Sequence, residues 1–253
     1  MNNGFRQKLS NGERLIGTIV TLESPAAAER LAASGFDWLF IDGEHAPLDF
    51  AQIQALLQAI RPCPGIVRVP AVEEIWIKKA LDIGAGGVIV PQIRGPEEAK
   101  RIVDWCRYPP AGARGVGVAR AQGYGARFTE YLGRANEDIA VILQIEHVDA
   151  VASVDGIAAV PGVDALFVGP YDLSSSLGIP GQVTSPKVVE AIQRVAGACR
   201  DHGIASGFFG MDADAVRPWM GRGFKLIAVG IDVVFLGTAA DAALEALGNR
   251  VGR

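Results

Sequence analysis

The sequence predicts an α/β protein built as one (β/α)8 barrel of the TIM type over residues 1–253. Three observations predict it. Eight short apolar runs alternate with stretches of helical pattern, most of them roughly 20 to 35 residues apart. The chain, at 253 residues, is long enough to close such a barrel. The first run passes into Val20-Thr21-Leu22-Glu23-Ser24 and not into the Gly-rich phosphate turn of a doubly wound nucleotide-binding sheet.

The strand-like runs lie at 16–21, 38–42, 66–69, 87–90, 140–146, 165–169, 205–209 and 226–230. They are short and apolar, the pattern of parallel strands covered on both faces. Ser24-Pro25 opens an Ala-rich helix closed by Gly35, and Asp49 with Gln52 three residues on signals a capping box for a helix at about 51–60. Gly95-Pro96, with Glu97 and Glu98 in the first turn, opens another, as does Ser185-Pro186, closed by Gly203. Further helices are expected at about 73–83, 148–159, 212–222 and 238–248. Residues 109–136 are predicted to be irregular, because Pro109-Pro110-Ala111-Gly112-Ala113-Arg114-Gly115-Val116-Gly117 cannot form a regular element. A long excursion after the fourth strand is expected to be functional, and this one carries Arg114, Arg120 and Arg127.

Composition narrows the partners. A net charge of -4, with the arginines scattered, provides no field for holding nucleic acid or an anionic membrane. Cys63, Cys106 and Cys199 are odd in number and far apart, as expected of reduced thiols in a cytoplasmic protein. Residues 1–10 lack a basic-then-apolar leader, and no apolar run is long enough to span a bilayer.

In a barrel, the C-terminal strand ends and the loops after them share one face, so polar residues there converge. The second strand contributes Asp42, Glu44 and His45, held in a loop by Gly43 and Pro47; the third contributes Arg68, inside an otherwise apolar run. A buried guanidinium there needs a carboxylate or a bound anion. The fourth gives Pro91 and Gln92, the fifth Gln144 and Glu146, and the sixth Gly169, Pro170 and Asp172. Gln144 and Glu146, two apart, project from one strand face into the barrel. Glu146 and Asp172 are hard oxygen donors suited to Mg2+, Mn2+ or a similar divalent ion such as Co2+. Lys8, Lys78, Lys79, Lys100 and Lys187 fall outside the strands and Lys225 at the start of the last, which disfavours imine catalysis; nor is there a GxSxG elbow. Metal-assisted acid–base chemistry remains. His147 and His202 are assigned structural places.

The stretch Phe36-Asp37-Trp38-Leu39-Phe40-Ile41-Asp42-Gly43-Glu44-His45-Ala46-Pro47, with Val67-Arg68-Val69-Pro70, Gly87-Val88-Ile89-Val90-Pro91, Ala113-Arg114-Gly115-Val116-Gly117, Gln144-Ile145-Glu146 and Phe167-Val168-Gly169-Pro170-Tyr171-Asp172-Leu173-Ser174, resembles the HpcH/HpaI family of metal-dependent pyruvate aldolases. The resemblance runs nearly end to end and is weaker at 122–131, where aldehyde preference is expected to be set. It implies a barrel in which Glu146 and Asp172 hold the ion, Arg68 contacts the keto oxygen of pyruvate, and His45, oriented by Asp42, moves the proton. Gly169, Pro170, Asp172 and Ser174 are expected around the substrate carboxylate and Gln144 beside the ion. Arg114 and Arg120 are expected at the substrate, and Asp82 is similar to a family position near a metal-bound water. The family's homohexamers, trimers of dimers that exchange the C-terminal helix, are implied as well. The expected reaction is reversible cleavage of a 4-hydroxy-2-oxo acid to pyruvate and an aldehyde. Its rivals are a CoA-thioester lyase of a related barrel and a non-catalytic ligand-binding barrel.

Overall fold

The structure is a computed structural model and describes residues 4–248. A short helix α1 (Phe5–Ser10) leads into β1 (Leu15–Val20), α2 (Pro25–Ala32), β2 (Trp38–Asp42), α3 (Phe50–Ala59), β3 (Gly65–Arg68), α4 (Glu74–Asp82) and β4 (Gly87–Val90). Then come α5 (Pro96–Cys106), α6 (Phe128–Asp138), β5 (Ala140–Ile145), α7 (Val148–Ala152), α8 (Val154–Ala158), β6 (Ala165–Val168) and α9 (Pro170–Ser176). The chain continues through α10 (Pro186–Asp201), β7 (Ala205–Gly210), α11 (Ala213–Gly221), β8 (Leu226–Ile231) and α12 (Asp232–Ala246). The strands pair in parallel, in chain order, and β8 returns to β1 to close the barrel. Both the eight strands and their closure match the expectation.

Alternation along each strand divides the apolar residues into two layers. Leu39, Ile41, Val67, Val88, Leu143 and Ile145 pack outward against the helices, whereas Phe40, Ile66, Ile89, Ile142, Phe167 and Leu226 fill the interior. Phe5 and Leu9 join the interior cluster, with the Phe5 ring 5.9 Å from that of Trp38, so α1 closes the end where the strands begin. Gly17 admits that indole: a Cβ there would lie 2.7 Å from the Trp38 ring and 2.5 Å from its carbonyl oxygen. The opposite end stays open.

Local signals explain the helix starts. Ser24 Oγ accepts from the Ala27 amide, and Asp49 and Gln52 form the reciprocal capping box. Five differences stand out, one of them the helix α9, where none was expected. The helix α1 was not foreseen. Within the predicted irregular piece, residues 128–138 form α6, whose Phe128, Tyr131, Leu132 and Ala135 follow helical spacing. The helix expected over 148–159 divides at Ser153 into α7 and α8. The last helix starts at Asp232 and not near 238, because β8 runs into it without a loop. Among the described residues no helix is long and apolar enough to cross a membrane, and the three cysteines are unpaired.

Candidate active site

The open end is organised by a buried ion pair. Asp42, the last residue of β2, faces Arg68, the last residue of β3, across the parallel ladder. Arg68 Nε donates to Asp42 Oδ1 at 2.9 Å and Nη2 to Asp42 Oδ2 at 2.8 Å, a two-pronged fit. Asp42 Oδ1 also accepts from the amides of Glu44 and His45, so it shapes the loop as well. Burial would raise the Asp42 carboxyl, but Arg68 and those amides more than offset it and hold it low. Arg68 Nη1 lies 3.2 Å from Glu44 Oε2, and the guanidinium carbon stands 5.1 Å from the Phe40 ring centre. A guanidinium carries five N–H donors and Asp42 takes two, which leaves Nη hydrogens for a further acceptor.

Beside this pair stand three carboxylates. Glu146, the residue after β5, accepts through Oε1 from the Gln92 amide at 2.7 Å, with Gln92 in a left-handed conformation of φ 57° just past β4. Its Oε2 meets Gln144 Nε2, leaving Gln144 Oε1 buried without a hydrogen-bond partner. Burial pushes the Glu146 carboxyl up to about 7 against the pull of Gln92 and Gln144, and repulsion from Glu44 and Asp172 adds to it. Glu44 is likewise pushed up to about 7, by burial against the pull of Arg68, with Asp42 and Asp172 repelling it. Gly169 fits here because a Cβ would stand 2.9 Å from Glu146 Oε2 and 3.0 Å from Gln144 Nε2. Among the described residues no three His, Cys, Asp or Glu side chains form a ready cation cage. Crowded carboxylates beside an unsatisfied amide oxygen nevertheless fit a hard divalent ion, with positions left for water and substrate.

A cavity of about 690 Å³ opens above these groups, lined on this side by Asp42, His45, Arg68, Gln144, Gly169 and Asp172, with Pro170 at its edge. No lysine is among its lining residues. The His45 ring is 61% exposed, and its nearest acid is Glu44, with 3.8 Å between Nε2 and Oε2. Asp42 orients the His45 backbone and not the imidazole, which corrects that expectation and gives Glu44 a place beside the ring.

Five predicted site residues do not line the cavity: Glu146 stands against Gln144 and Gly169, which do, and the other four are engaged elsewhere. Arg114 is fully buried elsewhere, donating to Asp82 Oδ1 at 2.7 Å and to the Tyr131 hydroxyl at 3.2 Å, with Tyr108 4.5 Å from its guanidinium carbon. Asp82 is thereby held at the C-terminal end of α4, where a strand is about to begin. Arg120 donates to the carbonyls of Ile83, the C-cap of α4, and Leu57, in the last turn of α3, helix ends that precede β4 and β3 at the closed end. These three miss because a barrel puts helix ends and strand exits on opposite faces. Ser174 is buried within its own turn, donating to Tyr171 O and accepting from the Gly181 amide. None of residues 122–131 lines the cavity. Gln92 and Glu44, both at strand exits, entered the sequence reading without assigned roles.

His147, as expected, stays outside: its Nδ1 accepts from the Asp149 amide at the start of α7. The profile of the HpcH/HpaI aldolase/citrate lyase family matches residues 15–239. The chain belongs to this family. Among HpcH/HpaI relatives, the hydroxypyruvate/pyruvate aldolase of Paraburkholderia phytofirmans is 42% identical over 252 residues, covering 96% of each protein. The 4-hydroxy-2-oxovalerate aldolase of Rhodococcus jostii is 40% identical over 243 residues, 95% of this chain and 94% of that one. An HpcH/HpaI aldolase/citrate lyase family structure from Burkholderia cenocepacia superposes with a TM-score of 0.94 at 42% identity, covering 98% of this chain and 100% of its own.

Proposed function

We propose that this chain is a divalent-metal-dependent aldolase that reversibly cleaves 4-hydroxy-2-oxo acids to pyruvate and an aldehyde. The observation that carries the reading is that His45, Arg68, Gln144 and Asp172 line one cavity, with Glu146 held against Gln144. The names of the relatives agree with it. Glu146 and Asp172 would hold the ion, with Gln144 Oε1 supporting it or its water. Bound there, a divalent ion supplies Lewis acidity toward the keto oxygen of the substrate.

The protein groups divide the remaining work. Arg68, immobilised by Asp42, aims its free Nη hydrogens at the keto oxygen and stabilises negative charge as it grows there. Backbone groups of Gly169 to Asp172 hold the substrate carboxylate. In cleavage, His45 takes the proton of the C4 hydroxyl as the C3–C4 bond breaks, and the bond electrons pass into the pyruvate enolate. Return of a proton to C3 completes pyruvate. His45 is exposed enough to exchange that proton with water.

The test is pyruvate release from 4-hydroxy-2-oxo acids, followed by NADH oxidation through lactate dehydrogenase. Turnover is expected to require added Mg2+, Mn2+ or Co2+ and to stop with a chelator, and borohydride with pyruvate should trap no adduct. A borohydride-trapped lysine adduct would falsify the mechanism, and failure to release pyruvate would leave the non-catalytic barrel. The CoA-thioester lyase is disfavoured because, of its candidate phosphate contacts on the long loop, Arg114 and Arg120 are engaged elsewhere and Arg127 does not line the cavity. As part of the same reading we assign the protein to the cytoplasm, in keeping with its three free thiols. It would form a homohexamer, a trimer of dimers, with α12 covered by a partner; Val233, Leu236 and Leu244 on that helix are exposed.

A further inference from the structure

The cavity has a second wall, built by β1, β7 and β8, that the chemistry above does not use. Ile19, Leu22, Phe209 and Ile231 make it apolar, and Thr21 and Glu23 are its polar members. An aldehyde joined to C3 of a pyruvate held over Gln144 and Asp172 has this wall across the cavity to receive its tail.

Its hydrogen-bonding character is set by Asp232, the first residue of α12, which is 5% exposed. Asp232 Oδ1 accepts the Thr21 hydroxyl proton at 2.7 Å, and Oδ2 accepts from the amides of Thr21 and Leu22, each at 2.9 Å. A hydroxyl has one proton to give, so Thr21 Oγ1 can only accept from a ligand. Glu23, exposed at the rim, is a carboxylate and also an acceptor. Among the described residues no Lys, Arg or His stands on this wall, and the cationic groups that line the cavity, Arg68 and His45, belong to the reacting side. The Tyr171 phenol at the margin can donate one hydrogen bond but carries no positive charge.

We infer that the aldehyde this site takes is a short uncharged hydroxyaldehyde, and that an aldehyde carrying its own carboxylate is rejected. A hydroxylated tail gives its protons to Thr21 Oγ1 and Glu23 while its carbons lie on Leu22 and Phe209. A carboxylate tail brings acceptors to acceptors and a negative charge to Glu23, against an apolar wall with no counter-ion. The inference rests on the aldolase reading and specifies the second substrate. The bond-forming step needs no other reactant: C3 of pyruvate adds to the carbonyl carbon, and the proton lost from C3 is balanced by the one gained at the new hydroxyl.

The test compares kcat/KM for aldol addition of saturating pyruvate to glyceraldehyde, propanal and succinic semialdehyde on the metal-loaded enzyme. Deuterium exchange into the pyruvate methyl is measured on the same samples. The ratios do not depend on how much of each variant is folded. Glyceraldehyde should exceed succinic semialdehyde by at least about tenfold, and Thr21→Val should lower the glyceraldehyde-to-propanal ratio. Glu23→Arg should shift the glyceraldehyde-to-semialdehyde ratio toward the semialdehyde by a similar factor. A wild-type preference for succinic semialdehyde, or ratios unmoved by both substitutions while exchange proceeds, would overturn the inference. Absence of wild-type exchange would overturn the aldolase reading beneath it.

Discussion

Arg68 is held by its two hydrogen bonds to Asp42, with Glu44 Oε2 3.2 Å from Nη1, and that fixed orientation is what makes its remaining Nη hydrogens useful: they are kept aimed at a bound keto oxygen. Arg68→Ala should therefore lower the rate of pyruvate methyl exchange by about 10²–10³-fold. It should also lower stability, because Asp42 and Glu44 lose their counter-ion. Arg68→Lys keeps the charge but not the two-pronged fit, so NMR in deuterium oxide should find it well folded and still slow. If Arg68→Lys exchanges at the wild-type rate, the oriented guanidinium is not what stabilises the enolate. His45→Ala should cut turnover by about 10²–10⁴-fold with little change in pyruvate affinity; unchanged turnover would remove His45 from proton transfer. At this scale the sequence displays Asp42, His45, Arg68, Gln144, Glu146 and Asp172 because each sits at or just past the end of a recognisable strand. Arg114, Arg120 and Asp82 could not be placed so, since a buried arginine is positioned by partners such as Tyr108 and Tyr131 that no local pattern announces.

Among elements, the junction of β8 with α12 ties the last helix to the first strand. Asp232 accepts from Thr21 and Leu22 across the barrel seam and from its own neighbour Val233 at 2.7 Å. Asp232→Ala leaves several of these donors unsatisfied and should destabilise the protein by about 1–3 kcal/mol. Urea denaturation should show a lower midpoint at an unchanged slope; an unmoved midpoint would mean that water replaces the carboxylate at no cost. Gly169→Ala drives a methyl group at Glu146 and Gln144, and by misplacing them should weaken metal binding by about 10–100-fold, measured by titration calorimetry. The strands were legible as short apolar runs because a doubly covered parallel sheet leaves little else in the sequence. Helix boundaries were less so: α6 was masked by the prolines and glycines before it, and α12 begins without the loop that ordinarily marks a helix start.

At the scale of the molecule, the barrel spends folding stability to hold negative charge at its mouth. The Glu44 and Glu146 carboxyls, at about 7, are raised above their ordinary value of 4.5. A raised acid binds more protons folded than unfolded, so the metal-free protein should lose stability as pH rises through that window. A bound divalent cation compensates the charge, and its gain in thermal midpoint should be larger at about pH 8 than at about pH 5.5. Calorimetry with and without Mn2+ decides this, and an equal gain at both pH values would show that the carboxylates are not its ligands. The closed barrel itself was legible from eight alternations and chain length; the exposed aliphatic face of α12 was compatible with the sequence but is a property of how copies meet. The central claim is that Glu146 and Asp172 hold a cation that lets Arg68 and His45 enolise pyruvate. Its most direct test is NMR of the pyruvate methyl group in deuterium oxide with metal-stripped and Mg2+-restored enzyme, beside Glu146→Gln. Exchange is expected in the restored wild type alone; exchange that persists in the stripped enzyme, or at the wild-type rate in Glu146→Gln, would contradict the account.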